Sequence, residues 1–60
     1  MLKVGDVVNV KYITGEVFHG EVVTIRVIGP DRVLFTVDDQ VGYRSLYVDR
    51  CDSLEVAEAV

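Results

Sequence analysis

The chain has 60 residues, half of them hydrophobic, and a formal net charge of −4. That length predicts one domain over residues 1–60 with a thin core, because so short a chain buries only about 60% of the surface it exposes when unfolded. The hydrophobic content excludes intrinsic disorder, and the acidic balance argues against a nucleic-acid binder built on a basic patch.

Fourteen valines, three isoleucines and three threonines make a third of the chain β-branched, which fits a pleated surface better than a helix. Cys51 is the one cysteine, so no disulfide forms within the chain, and small secreted domains usually rely on several. No charged start followed by an apolar run reads as a signal peptide, and no apolar run approaches the ~20 residues of a membrane helix. A cytoplasmic protein with no membrane role is expected. The charge is uneven: residues 1–30 hold three acids and three bases, residues 31–60 seven acids and three bases.

Turn signals at Gly5-Asp6, Gly15, Gly20, Gly29-Pro30-Asp31, Asp38-Asp39 and Gly42 cut the chain into strand-length runs. The first predicted strand is Val7–Tyr12, with Val8, Val10 and Tyr12 on one face and Val7, Asn9 and Lys11 on the other. The second is Phe18–Ile28. Here Val23, Ile25 and Val27 share one face, and Val22, Thr24, Arg26 and Ile28 the other. Gly20 suits a bulge or bend near its start. Pro30 presets a turn. The third strand is Arg32–Val37 with Val33, Phe35 and Val37 inward. Asp38-Asp39-Gln40 makes the next turn, and Tyr43–Val48 the fourth strand. Residues 48–52 read as a short helical turn, Leu54–Val56 as a last short strand, and Ala57–Val60 as a weak helix or frayed end. Five short strands in a meander predict an all-β fold that closes on itself to remove its edges.

The opening Leu2-Lys3-Val4-Gly5-Asp6-Val7-Val8 resembles the hydrophobic-x-x-Gly-Asp-x-Val entry of the Src-homology-3-like (SH3-like) barrels. The resemblance spans residues 2–56. It implies a five-stranded SH3-like barrel with a short helical turn before the last strand. Two narrower resemblances point to function. Gly15-Glu16-Val17-Phe18-His19-Gly20 resembles the Gly-x-x-aromatic-x-Gly pattern of the first Sm motif of ring-forming RNA-binding proteins. The acidic and amide positions that follow in that family fall near Arg26 and Pro30, and its later Arg-Gly pair is absent. The Gly-Asp entry, Gly20-Glu21-Val22-Val23 and Leu54-Glu55 are similar to the plasmid type II dihydrofolate reductases, which work as tetramers. Of their Val-Gln-Ile-Tyr strip, Arg44-Ser45-Leu46-Tyr47 keeps only the aliphatic-Tyr end, so no cofactor is assigned.

Among single residues, His19 has no second ligand that would make a metal site, and it reads as a half-exposed strand residue. Cys51 lies between Arg50 and Asp52, whose effects on a thiol oppose one another, and reads as buried and inert. Asp38 and Asp39 read as turn formers, with no further oxygen ligands at calcium-loop spacing. No catalytic or metal residue is assigned. Tyr43 and Tyr47, four apart, share a strand face, and with Arg44 and Tyr12 they form the candidate binding set. Val7, Val22, Ile28 and Leu34 lie opposite the predicted core. Contiguous apolar surface of that kind marks an interface. The sequence therefore predicts a non-enzymatic binding or assembly module, self-associating or held by a protein partner. The alternatives are an Sm-like nucleic-acid-binding barrel using Tyr43, Tyr47, Arg44, Arg26 and Lys11, and a small oligomeric enzyme with an intersubunit site of the type II dihydrofolate reductase kind.

Overall fold

The alternation of Val8 and Val10 with Asn9 and Lys11 builds β1 (Val7–Tyr12), with the predicted bounds. The computed structural model describes residues 2–60. Gly5, at φ +101°, turns the chain into β1, and its N–H bonds the Val22 carbonyl at 2.8 Å. The Asp6 carboxylate is buried and accepts the N–H of Lys3 at 2.9 Å and of Val60 at 3.0 Å. It thereby ties the entry turn to residues beyond the last strand.

A turn at Thr14-Gly15, with Gly15 at φ +91°, leads to β2 (Val17–Gly29), the longest strand at 13 residues. Its first part pairs with β1 and its remainder with β3 (Arg32–Asp38), across the two-residue Pro30-Asp31 turn. β4 (Tyr43–Tyr47) follows, then a single 3₁₀ turn (Val48–Arg50) and β5 (Cys51–Glu58). All pairings are antiparallel, in one sheet of order β4-β3-β2-β1-β5.

Three sequence expectations are corrected. The helical turn covers Val48–Arg50 rather than 48–52. The last strand extends well beyond Leu54–Val56 and takes in Ala57 and Glu58, which were expected to be helical or frayed. The irregularities in β2 fall between Val22 and Thr24 and between Val27 and Gly29, not at Gly20. Gly20 is glycine for another reason: a Cβ there would overlap the backbone of Asp38.

The core is Val8, Val10, Val22, Phe35, Val37 and Leu46, with Tyr12, Phe18, Ile25 and Leu54 packed against it. Val22 was expected on the outer face. It is fully buried instead, because the extra residue at Val23 shifts the phase of β2. Phe35 and Val37 are buried, as predicted.

The sheet curls strongly. In a flat sheet β1 and β4 would lie about 14 Å apart, three strand spacings. Here the Tyr12 hydroxyl accepts the N–H of Tyr47 at 3.2 Å, directly across from β1 to the end of β4. The ladder itself does not close, and β4 and β5 remain its edges.

Candidate functional site

Residues paired across strands point to the same side of a sheet, so the register gives the outer face row by row. One row runs Val7, Glu21, Asp38, Tyr43 across β1 to β4. The next is Thr24, Thr36, Ser45, where the two hydroxyls of Thr36 and Ser45 lie 3.1 Å apart. The third is Arg26, Leu34, Tyr47. Beyond it Ile28, which has no cross-strand partner at a register shift between Val27 and Gly29, is 51% exposed. The face is thus acidic at one end, small and neutral in the middle, and basic at the other.

Tyr47 is the most elaborated position on it. The Arg32 guanidinium lies 5.3 Å from its ring centroid and that of Arg50 5.8 Å. Such contacts contribute about 0.5–1 kcal/mol each when exposed. Arg32 also pairs with Asp49 at 3.7 Å, whereas Arg50 has no carboxylate in ion-pair range among the described residues. Arg32 was not singled out from the sequence. Its place over Tyr47 follows from the β3–β4 register: Leu34 faces Tyr47, and Arg32 is the next residue on that side of β3.

The four predicted binding residues do not form one cluster. Tyr43 and Tyr47 share the outer face, and Tyr43 is 71% exposed. Arg44 lies on the opposite side of β4 and bonds Asp39 at 3.4 Å. Tyr12 packs inward, edge-on to Phe18 at 6.5 Å between centroids. Of the four predicted interface residues, Val7 and Leu34 lie on the outer face and are half-buried, Ile28 is exposed at the register shift that ends β2, and Val22 belongs to the core.

The residues read as non-catalytic have structural partners. The His19 ring bonds the Asn9 side chain across β1 and β2. Burial pushes the Cys51 thiol above its usual pKa, Asp49 and Asp52 add to the shift, and the thiol donates to the Tyr47 carbonyl at 3.3 Å. Asp38 accepts the Gln40 N–H, and Asp39 those of Val41 and Gly42. Burial works to raise the Asp39 pKa, but these bonds and Arg44 outweigh it and hold the carboxyl below its ordinary range. Among the described residues no cluster of three His, Cys, Asp or Glu side chains is placed to hold a metal ion.

Round the far end of β2 and β3, Leu2, Ile25, Val27, Val33 and Val48 line an apolar depression of about 310 Å³. The sequence showed Val27 and Val33 only as inward residues. The structure leaves Val27 72% exposed at the rim, where the core runs out. No helix among the described residues is long and apolar enough to cross a membrane. Compared with known proteins, the chain matches no family model, no curated protein and no solved structure.

Proposed function

We propose that this chain is a small non-enzymatic binding and assembly module, built on an SH3-like barrel, that works by protein–protein contact and associates with copies of itself. The observation that carries this reading is the amount of large apolar surface outside a six-residue core: Val17, Ile28 and Tyr43 are all at least half exposed, and Val27 is exposed at the rim of a separate apolar depression. Apolar surface of this extent on so small a domain is a feature of interfaces. The strand order and the Tyr12–Tyr47 bridge support the barrel. A nucleic-acid reading draws on Arg26, Arg32 and Arg50, but Glu21 and Asp38 share the face and would repel phosphates. A catalytic reading has least support, since His19 and Cys51 are each held by structural partners.

Light scattering across a concentration series tests the proposal. Mass above the monomer is expected, rising with concentration. Ile28→Lys should return the chain to monomer with its circular dichroism unchanged. A strict monomer at every concentration refutes self-association.

A further inference from the structure

The rows of the outer face imply a particular dimer, an inference that rests on the self-association proposed above. Glu21 and Asp38 stand directly opposite each other on neighbouring strands, an arrangement that is unfavourable in an isolated sheet. Neither forms an ion pair among the described residues, and neither does Arg26 at the other end of the face. The surface therefore carries two unneutralised charges of one sign and, two rows away, charge of the other sign. Between them Thr24, Thr36 and Ser45 are all short, so a second sheet can approach to the usual packing distance of about 10 Å.

We infer that the outer face of β2, β3 and β4 is a self-complementary dimer surface whose twofold axis runs along the Thr24–Thr36–Ser45 row, across the strands. That rotation lays each strand antiparallel over its own copy. It brings Glu21 over Arg26 of the second copy, Asp38 beside Leu34 and Arg32, and Tyr43 onto Tyr47. The other in-plane twofold, parallel to the strands, would set acidic row on acidic row and is excluded by charge. A twofold interface must present one patch that matches itself, and this face does so in charge, in aromatic content and in its short central row.

The charged rows set how the contact responds to salt. A standard interface covers about 800 Å² per partner, about a fifth of the 4186 Å² accessible on this chain. One three-stranded face is of that order; area alone does not fix the affinity, but salt weakens the contact by screening the charged rows.

Charge reversal in trans decides the matter. Glu21→Arg alone and Arg26→Glu alone each place like charges together twice per dimer. Each should raise the dissociation constant at least about tenfold. Mixing the two variants should form a 1:1 heterodimer, because both contacts are then complementary. The double variant Glu21→Arg/Arg26→Glu should dimerise with itself. Thr24→Arg, lying on the axis, meets its own copy and should dissociate the dimer with no rescue by mixing. Sedimentation at low salt reads the mass, and circular dichroism confirms the fold. If the single variants dimerise as tightly as the parent, or the mixture stays monomeric, this face is refuted while self-association stands. If the parent is monomeric at every concentration, both proposals fall.

Discussion

On its inner side the sheet stacks Val8, Val10, Val22, Phe35, Val37 and Leu46 with no charge among them. On its outer side the same strands set Glu21 and Asp38, then Arg26 and Arg32, among Leu34 and two tyrosines. The inner side acts through burial at about 25 cal/mol per Å² of apolar area, which salt hardly touches. The outer side carries charged and aromatic groups, which contribute little to the stability of an isolated chain and would count for more in the association proposed above. Stability and association are therefore separable here, residue by residue, along one strand.

The sharpest separation is between neighbours on β3. Phe35→Ala empties a fully buried site at the centre of the six-residue core and should cost about 3–5 kcal/mol. A domain of this size has only about 3–9 kcal/mol in total, so the loss takes a third of it or more, and the midpoint of a denaturant melt should fall steeply. Leu34→Ala, one residue away on the half-buried outer face, should cost about 1 kcal/mol or less. If the two costs were equal, the division into faces would be wrong.

That division was partly legible in the sequence. Val8 and Val10 in β1, and Phe35 and Val37 in β3, obey strict alternation, and alternation is what a one-side-buried strand imposes. Val22 was misplaced because the bulge at Val23 inserts a residue whose presence no local pattern announces. β5 was drawn too short because its exposed, acidic residues do not alternate. It is a strand because β1 offers it a hydrogen-bonding edge. The outer face was found as apolar surplus, through Val7 and Leu34, but its charged rows were not. They need the pairing of Glu21 with Asp38 and of Arg26 with Leu34, which only the folded register supplies.

The acid limb of stability tests Asp6, the one buried charged side chain among the described residues. Asp6 is held below its usual pKa of 3.8 by the N–H groups of Val60 and Lys3, with the Lys3 charge assisting and burial opposing. Its contribution is fully present above the unfolded value and is lost as pH falls through 3.8 toward the lower folded value. Melting temperature should therefore drop between pH 5 and pH 3. Asp39 contributes to the same window, because its carboxyl is also held low. Asp6→Asn should lower the melting point at pH 6 and flatten the fall between the two pH values. A variant with the parent's full acid sensitivity would place that sensitivity elsewhere.

A small effect is also expected at Tyr12, where β1 meets β4 across the curled sheet. Its hydroxyl is the acceptor for the half-buried N–H of Tyr47. Tyr12→Phe keeps the ring against Phe18 and removes only that acceptor. The loss should be about 0.5–1.5 kcal/mol, the range for one net hydrogen bond. Its local signature tells more than its size. Amide exchange at Tyr47 should quicken, while Val8 and Val10, deep in β1, keep their protection until the whole domain opens. The same variant bears on the outer face, because Tyr47 carries the Arg32 and Arg50 guanidiniums. If the curl is held chiefly by the core, the self-association proposed above, read by sedimentation, will be unchanged in Tyr12→Phe. If the bridge holds β4 in place, Tyr47 will shift with it, and the proposed association will weaken although no outer residue has been touched.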